Sequence, residues 1–407
     1  MHIGMIDPSL FTLPYDQELA DGLEQIGHDV TLFGRRLRRD DGIPGNVRLV
    51  EAFYRVSGSK PVSRLPQGPR LAIKGLEHVV SMAWLLRRLA RMRPDIIHFQ
   101  WLPLPLVDGR LLGAFRRIAP LVLTVHDTNP FNGDPSSRLQ ARGFLGCLSQ
   151  FDSLIVHTEQ GRSRLCAQGI PDARLNVVPH GTIGAAQPRA GDDPMDGILT
   201  FLLFGKIKPY KGADILIKAF AMLPERLRAQ ARVRIIGKPY MDLQPLHELV
   251  QSNGLAHQVS IEPHFVEDKE LPTLFSWGSV AVFPYREIDA SGVLAQALAY
   301  ARPVVASRLG LFNEMLEDDV HGHLVPPEDV AALAAAMTHL IEDRAFAAAC
   351  SRHAAMLSSQ APSWKAIARR SAAVYTAAMA AAAPVSAGRS RATEISISTR
   401  KITGGNC

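Results

Sequence analysis

A cluster of lysines and glycines near the middle of the chain has the residue types of an anion site. The apolar residues 200–204 lead into Gly205 and Lys206, and Lys211 and Gly212 stand immediately before a helical pattern. Glycine lets the backbone approach a ligand closely, and the amides at the start of a helix favour negative charge. With two cations added, this segment predicts a site for a phosphate group.

The spacing of these residues differs from that of a P-loop, the motif that binds nucleoside triphosphates. No Gly-Lys-Ser/Thr follows a glycine and a four-residue gap in this segment. Hydrolysis of a nucleoside triphosphate is therefore poorly supported, and the phosphate has to belong to another kind of substrate.

A second set of small residues predicts a further phosphate contact. Ser291 and Gly292 precede a helical pattern that begins near Val293. Serine is a good N-cap, and glycine leaves the first amides of the helix open to an anion. Ser291 could also cap the helix and do nothing more. Taken with Lys206 and Lys211, however, it predicts a pyrophosphate site without a divalent metal, and the chain has no Asp-x-Asp motif to hold one.

The patterns around these segments predict two α/β domains that face one cleft. Short apolar strands alternate with amphipathic helices, which is typical of parallel, doubly wound sheets. In the first half, strands are predicted at residues 2–6, 29–33, 96–99, 121–125, 153–156 and 175–178, with helices near 17–27, 71–92 and 106–119. In the second half, strands are predicted at 200–204, 233–236, 259–262, 280–283 and 304–305, with helices at 213–222, 246–253, from about 293, and at 329–341.

The composition predicts where these domains begin and end. We expect an N-terminal domain at residues 1–183 and a C-terminal domain at 198–362, joined by a linker at 184–197 that is rich in Gly, Pro, Ala and Asp. Residues 363–382 predict a last Ala-rich helix, with Trp364 and Tyr375 as large anchors. Residues 383–407 lack a core pattern and are predicted to be disordered.

Polar residues at the predicted ends of strands add candidates to the cleft, because ligands of open α/β sheets collect at the carboxyl ends of the strands. The further residues in or near such positions are Asp7, His126, Asp127 and His180 in the first domain, and Glu287 and Asp289 in the second.

The charge distribution indicates an anionic partner for the first half of the chain. Residues 1–190 hold 23 Lys and Arg against 17 Asp and Glu, so the whole net charge of +6 lies there. The densest clusters, residues 34–39 and 86–93, suit phosphorylated substrates or anionic lipid head groups, although a solvated helix face and loop would look the same. Aromatic residues do not interleave with these cations, so nucleic acid is the weakest candidate partner.

The remaining composition is that of a globular chain, with 47% apolar and 21% charged residues. No apolar run approaches the length of about 18 residues that a spanning helix needs, and Met1 leads into a strand pattern rather than an export signal. We therefore expect a cytoplasmic location.

The four cysteines have no zinc-ligand spacing and no disulfide framework, so they are interpreted as ordinary thiols.

The order of five motifs resembles the family 4 glycosyltransferases. The motifs are residues 124–127, 177–181, 204–212, 283–305 and 322–329, and the resemblance covers residues 1 to about 382. It implies the GT-B fold, two Rossmann-like domains with a C-terminal helix that returns to the N-terminal domain. It also implies transfer of a sugar from a nucleotide-diphosphate donor with retention of anomeric configuration, without a metal or another cofactor.

The resemblance also implies roles for single residues. Lys206 and Lys211 would neutralise the donor diphosphate as it leaves, and residues 291–293 would offer backbone amides to its distal phosphate. Lys206 stands where many relatives have Arg, which keeps the charge but loses the bidentate fork. His126 would face the donor sugar and the acceptor and could orient a hydroxyl, although it could also be a buried histidine satisfied by the backbone.

The sequence departs from the family pattern near the donor sugar. The family usually carries two glutamates eight positions apart, and Ile288 and Gln296 occupy those positions here. Glu287 or Asp289 could reach the sugar from a shifted loop, and Gln296 can still hydrogen-bond a ribose hydroxyl. We interpret the chain as a variant subgroup with a Ser-Gly-Val donor loop.

The missing glutamates leave a second function open, a non-catalytic partner that binds a nucleotide sugar or a glycan while another subunit does the chemistry. The retained lysines and the serine-glycine helix start argue against it. A nucleotide-sugar epimerase or a phosphorylase is a third alternative, but no lysine lies in an apolar pyridoxal-binding pattern. The acceptor is expected to be a glycan or a lipid-linked diphosphate in polysaccharide or glycoconjugate synthesis, with peripheral contact to the anionic inner face of the membrane.

Overall fold

The computed structural model describes residues 1–38, 41, 47–128, 143–183, 195–276, 278–288 and 291–382 and folds them around two parallel sheets. The first sheet has seven strands within these residues, in the order β3-β2-β1-β4-β5-β6-β7. They are β1 His2–Asp7, β2 Asp29–Arg35, β3 Arg48–Phe53, β4 Ile96–Phe99, β5 Leu121–Val125, β6 Ser153–Val156 and β7 Leu175–Val177.

The second sheet has six strands in the described part of the chain, in the order β10-β9-β8-β11-β12-β13. They are β8 Leu199–Phe204, β9 Ala231–Ile236, β10 Val259–Glu262, β11 Ser279–Phe283, β12 Val304–Ser307 and β13 Gly322–Val325. Every pairing recorded in the two sheets is parallel. This architecture confirms the predicted pair of Rossmann-like domains.

Helices connect the strands and cover both sheets. The α-helices within the described residues are Leu13–Glu24, Lys60–Ser63, Gln67–Met92, Pro105–Arg116, Phe144–Leu148, Glu159–Ala167, Ala213–Met222, Glu225–Arg228, Gln244–Ser252, Leu271–Leu274, Gly292–Ala299, Gly310–Met315, Val330–Glu342, Arg344–Ser359 and Trp364–Ala382. Short 3-10 turns lie at Asp172–Arg174, Pro209–Lys211 and Asp268–Glu270.

The central strands are buried because helices lie on both faces of each sheet. β4, β5, β6 and β11 are buried at every position, which agrees with their nearly unbroken apolar sequences. Parallel pairing aligns the carboxyl ends of the strands at one edge of each sheet, and that edge carries the polar residues considered below.

The last helix leaves the second sheet and packs on the first, which confirms the predicted return. Trp364–Ala382 packs most extensively against Leu13–Glu24. Nε1 of Trp364 donates to the carbonyl of Thr182 at 2.7 Å. The hydroxyl of Tyr375 hydrogen-bonds Nδ1 of His98 at 2.8 Å, which ties the helix to β4.

Sequence patterns missed several elements. β3 is an edge strand whose residues are mostly half-buried or exposed, so it lacks the apolar run that revealed the other strands. β13 and the helix Arg344–Ser359 were also missed. The predicted linker falls largely outside the described residues, and the predicted tail falls there entirely.

Candidate functional site

The strand order of each sheet reverses direction at one point, and ligands of open α/β sheets bind beside that point at the carboxyl ends of the strands. In the second sheet the reversal lies between β8 and β11, which are hydrogen-bonded neighbours. β8 ends at Phe204 and β11 ends at Phe283. The predicted lysine segment and the predicted serine-glycine helix start therefore follow the two strands that border the expected ligand site.

Gly205 is the point at which the two segments converge. It has a φ of +105°, and a methyl group built on it would lie 3.1 Å from Nζ of Lys211 and 3.3 Å from Cγ2 of Val293. The Lys211 ammonium and the first turn of the helix Gly292–Ala299 thus both lie against the place that a side chain at Gly205 would occupy. The structure brings these parts of the two predicted phosphate contacts together.

The loop that carries Lys211 is fixed from the other side of the site. Gly212 has a φ of +68°, and a methyl group built on it would lie 1.9 Å from the carbonyl oxygen of Pro284. The backbone N–H of Arg286 donates to the carbonyl of Tyr210 at 2.7 Å. Its guanidinium donates to Pro209 at 2.8 Å, and it also pairs with Asp214 and Glu328. The loops after β8 and β11 are therefore held as one unit.

The two lysines form a cationic centre. Lys211 is 6% exposed, and its burial, together with Lys206 and Lys208, lowers its pKa to about 7. Lys206 is exposed to the cleft, but the surrounding walls and the nearby Lys208 lower its pKa to about 8. Among the described residues, no ion pair is recorded for either lysine. A bound anion with two negative charges would offset both the burial of these ammonium groups and the repulsion between them.

Lys206 also contacts the first domain across the cleft. Its Nζ lies 4.3 Å from the ring centre of Phe11 and 5.9 Å from that of Tyr240. The Phe11 ring stacks on Trp101 at 4.6 Å. An ammonium group over an aromatic face is attracted by the ring, so this contact places Lys206 at the boundary between the two domains.

Ser291 caps its helix as predicted from its type. Its Oγ accepts from the N–H of Leu294 at 3.4 Å, and its side chain is buried. A methyl group built on Gly292 would lie 3.4 Å from Cε1 of His180, so a residue of the first domain faces the start of the helix directly. Gln296 donates to the carbonyl of Ile183 at 3.5 Å, and this contact also crosses between the domains.

His126 belongs to a hydrogen-bonded row of side chains from three neighbouring strands. Its Nε2 lies 3.1 Å from the amide oxygen Oε1 of Gln100, and its Nδ1 lies 3.2 Å from Nε2 of His157. Nδ1 of His157 donates to the carbonyl of Val178 at 2.9 Å. Burial and the neighbouring histidines lower the pKa of His126 well below its usual range. Burial likewise lowers the pKa of His157 to about 3, so both rings are neutral near pH 7.

These contacts fix the tautomers of the two histidines. A carbonyl oxygen only accepts, so Nδ1 of His157 carries its hydrogen and Nε2 accepts from Nδ1 of His126. Nε2 of His126 is then left without a hydrogen, so it bonds Gln100 only when that amide turns its N–H group toward the ring in place of the Oε1 that lies there at 3.1 Å. A neutral histidine in this state can accept a hydrogen bond from a substrate hydroxyl.

Asp7 lies near enough to Lys206 to raise the pKa of that lysine, but it does not face the cleft as an open carboxylate. Its side chain is fully buried and accepts from the N–H groups of Ser9 and Thr12 at 3.1 and 2.9 Å. Thr12 also donates to Asp16, and burial raises the pKa of both carboxyls. Asp7 thus shapes the turn that carries Phe11.

The other predicted residues have less defined places. Asp127 is half-buried at the end of β5, near enough to Tyr210 to contribute to the raised pKa of that phenol. Nδ1 of His180 hydrogen-bonds the carbonyl of Gly181 at 2.7 Å. Glu287 is half-buried, whereas Asp289 lies outside the described residues.

Sequence reasoning missed three side chains at this edge, Gln100, His157 and Phe11. Gln100 directly follows β4 and His157 directly follows β6, so the rule that selected His126 would have found both if it had been applied to every strand. Phe11 lies in a turn, and no pattern in the sequence singles it out.

One group of possible metal ligands is present among the described residues, and it is not in the cleft. Asp318, Asp319 and His323 bring one ligand atom each within 4.8 Å of one another. They lie at the start of β13, at the sheet edge opposite the candidate site. The Asp318 carboxylate already pairs with Arg308 and accepts from the N–H of Leu324.

Two family models match the chain, one for each sheet. Residues 17–182 match the model described as Glycosyltransferase Family 4, and residues 199–343 match the model described as Glycosyl transferases group 1. A relative from Streptomyces avermitilis, named D-inositol 3-phosphate glycosyltransferase, is 31% identical over 75% of this chain and 69% of its own length. The chain belongs to the family 4 glycosyltransferases. It is an enzyme that transfers glycosyl groups.

Other similar proteins agree with this assignment for the family 4 enzyme. A relative of the same name from Thermobispora bispora is 28% identical over 90% of this chain and 89% of its own length. Anabaena HepE, solved with UDP and glucose, superposes with a TM-score of 0.72 at 19% identity over 93% of this chain and 100% of its own. Sucrose-phosphate synthase from Thermosynechococcus elongatus superposes with a TM-score of 0.71 at 19% identity, over 94% and 100% of the two chains. These superpositions confirm the GT-B fold.

Proposed function

We propose that this family 4 glycosyltransferase moves a sugar from a nucleoside-diphosphate donor to a glycan or lipid-linked acceptor, with retention of anomeric configuration. The observation that carries the proposal is the convergence of Lys211, Gly205 and Val293. A buried ammonium group, a glycine without a side chain and the first turn of a helix meet within a few ångströms.

The chemistry follows from where charge develops. Breaking the bond between sugar and phosphate leaves negative charge on the departing diphosphate and positive charge on the sugar ring. Lys211, Lys206 and the amides at 291–293 surround the place where the negative charge appears, so they stabilise the transition state electrostatically without requiring a divalent metal. The depressed pKa of Lys211 rises when the diphosphate binds, because the ammonium form then gains an opposite charge.

The first domain supplies the opposite wall of the cleft. His126, held neutral by burial, accepts a hydrogen bond from a hydroxyl of the donor sugar or of the acceptor. His180 lies against Gly292, next to the helix start that binds the phosphate. Gln296, Glu287 and Asp289 are our candidates for contacts to the ribose and the sugar.

Two sources support a nucleotide-sugar donor. Anabaena HepE, which has a similar fold, has been solved in complex with UDP and with UDP-glucose. The lysine pair and the helix start of this chain independently suit a pyrophosphate. For the acceptor, the basic surplus of the first half suggests a phosphorylated or lipid-linked molecule at the inner face of the membrane, with the enzyme in the cytoplasm or peripheral to that face.

The proposal is tested by incubating the protein with a panel of UDP-, GDP- and ADP-sugars and measuring release of nucleoside diphosphate, with D-inositol 3-phosphate and short lipid-linked diphosphates as acceptors. We expect one donor class to be consumed and the product to keep the donor's anomeric configuration by NMR. Lys211→Ala should lower turnover on the order of a thousandfold, as loss of one well-placed charge donor does. Tight binding of a nucleotide sugar without any turnover would favour the non-catalytic partner instead.

A further inference from the structure

Large apolar side chains are exposed in one region of the first domain far more densely than elsewhere. Among the described residues, fifteen large hydrophobic side chains are exposed, and six of them lie between residues 65 and 84. They are Leu65, Leu71, Leu76, Val79, Val80 and Trp84. Single exposed apolar residues are ordinary on protein surfaces, but a concentration of this kind marks a site of interaction.

Four of these side chains share one face of the helix Gln67–Met92. Leu76, Val80 and Trp84 follow one another at intervals of four, and Val79 is the neighbour of Val80 on the same side. Leu76 is 70% exposed and Val80 62% exposed. The opposite face is already used, because His78, Met82, Leu85 and Leu89 are buried in the domain. The outer face therefore has no apolar partner within the described chain.

The charges on this helix are almost all positive. It carries Arg70, Lys74, Arg87, Arg88 and Arg91, and a single acid, Glu77. The Glu77 carboxylate accepts from the N–H groups of Val56 and Ser57 at 2.7 Å, so it is already bound within the domain. Arg87, Arg88 and Arg91 follow the apolar face directly and are exposed.

An apolar face bordered by cations matches the interface of an anionic bilayer, where side chains of Leu, Val and Trp enter the boundary of the acyl chains and arginines meet the head groups. No helix within the described residues is long and apolar enough to cross a membrane. One face of the helix Gln67–Met92 is buried in the domain and the other is exposed, so the match is to a helix that lies on the bilayer surface.

The helix is joined rigidly to the domain, so docking it would orient the whole enzyme. Nε2 of His78 hydrogen-bonds Asp108 at 2.7 Å, and Nδ1 of His78 hydrogen-bonds the hydroxyl of Tyr54 at 2.9 Å, all three side chains being buried. The helix follows β3 and so begins at the sheet edge where the strands end. That edge is also the edge of the candidate site, whereas Arg87, Arg88 and Arg91 lie at the other end of the helix, just before β4 begins.

We propose that the helix face formed by Leu76, Val79, Val80 and Trp84, with Arg87, Arg88 and Arg91, is the surface by which this enzyme docks on anionic phospholipid bilayers. The docking rests on the proposed function only in its purpose, which is to hold the enzyme at a bilayer that carries its acceptor.

The experiment is flotation of the full chain with vesicles of phosphatidylcholine alone or mixed with phosphatidylglycerol. The wild type should float with the mixed vesicles at low salt, should bind neutral vesicles at least about tenfold less, and should be released as salt shortens the range of the charge attraction. The triple variants Leu76→Ser/Val80→Ser/Trp84→Ser and Arg87→Glu/Arg88→Glu/Arg91→Glu should each bind at least about tenfold less. A matched control, Met222→Ser/Phe265→Ser/Met356→Ser, removes three comparably exposed side chains of the second domain and should float like the wild type.

Failure of the wild type to float with the mixed vesicles at low salt would overturn the proposal. So would full binding by both helix variants, or a wild-type dimer in sedimentation that the serine variant converts to monomers, because a second copy would then cover the face. The proposed function is tested separately, by measuring the binding of nucleoside diphosphates in the absence of vesicles. Vesicle binding without nucleotide binding would support the docking surface and contradict the proposed donor site. Nucleotide binding without vesicle binding would support the donor site and contradict the docking surface.

Discussion

His126 and His157 lie on neighbouring strands and share a hydrogen bond of 3.2 Å between Nδ1 of the first and Nε2 of the second. The second ring is held in turn by the carbonyl of Val178. This arrangement decides which nitrogen of His126 carries the hydrogen. His157 therefore affects the reaction only through His126, and we regard it as a positioning residue.

The variant His157→Leu should lower kcat/KM about tenfold to a hundredfold, because the His126 ring loses the partner that sets its tautomer and orientation. The variant His157→Gln carries an amide that can both donate to Val178 and accept from His126, and it should recover most of the activity. Steady-state kinetics of the two variants checks this, with binding of nucleoside diphosphate as the measure of an intact fold. Equal activity of the two variants would show that His157 serves packing alone.

Gly212 offers a test of the loop that carries Lys211. The variant Gly212→Ala forces a methyl group to within 1.9 Å of the Pro284 carbonyl at a φ of +68°, so the loop has to move. Gly254 is a matched control, because its φ is +67° and nothing lies within 4 Å of a methyl group built on it. We expect Gly254→Ala to lower the free energy of unfolding by about 1–2 kcal/mol through backbone strain alone.

Gly212→Ala should lower the free energy of unfolding by more than the control, and it should also weaken binding of nucleoside diphosphate, because Lys211 leaves its place beside Gly205. Urea denaturation and calorimetric titration measure the two effects. If Gly212→Ala lost only as much stability as the control and bound nucleotide normally, the tie between the two loops would not position Lys211.

The pKa of Lys211 predicts a pH dependence of donor binding. Because that pKa is about 7 in the ligand-free protein, most of the lysine is neutral at about pH 8 and binding of a diphosphate must take up a proton. Affinity should therefore fall as the pH rises above about 7. Titrations in two buffers of different ionisation enthalpy should show this uptake in the wild type and less of it in Lys211→Met. The same affinity from about pH 7 to about pH 9 would contradict the prediction.

The free energy of unfolding of the ligand-free protein should rise with pH, whereas the affinity for the donor falls. The unfolded chain keeps Lys211 protonated up to its ordinary pKa of about 10.5, whereas the folded chain releases that proton near pH 7. The contribution of Lys211 to the free energy of unfolding therefore rises between about pH 7 and pH 10. This contribution is lowest below about pH 7, where the buried lysine has to carry its charge. Lys211→Met should stabilise the fold near pH 6 while it weakens binding. Thermal unfolding at several pH values measures this change.

Much of the fold could be predicted because the buried strands are short apolar runs between turn residues. β4, β5 and β10 have the predicted ends, and so does the helix Ala213–Met222. The edge strand β3 was not predicted, because a strand that is buried on only part of its surface does not need an apolar sequence.

The site was predictable in its position along the chain but not in its detailed contacts. Lys211 and Ser291 were found because strand ends and helix starts are local features. The burial of Asp7 was not predictable, because the end of a strand fixes the sheet edge and not the direction of the side chain, and this carboxyl turns inward to Thr12. The pair of His126 and His157 depends on the register between two strands, which a single sequence does not contain.

The most direct test of the account is calorimetric titration of the wild type, Lys206→Met and Lys211→Met with UDP, GDP and ADP and with the matching monophosphates. We predict that the wild type binds one diphosphate at least about tenfold more tightly than its monophosphate, and that each lysine variant loses about tenfold to a hundredfold of the diphosphate affinity with little change for the monophosphate. Equal binding of the diphosphate by the wild type and both variants would contradict the claim that these lysines hold a pyrophosphate.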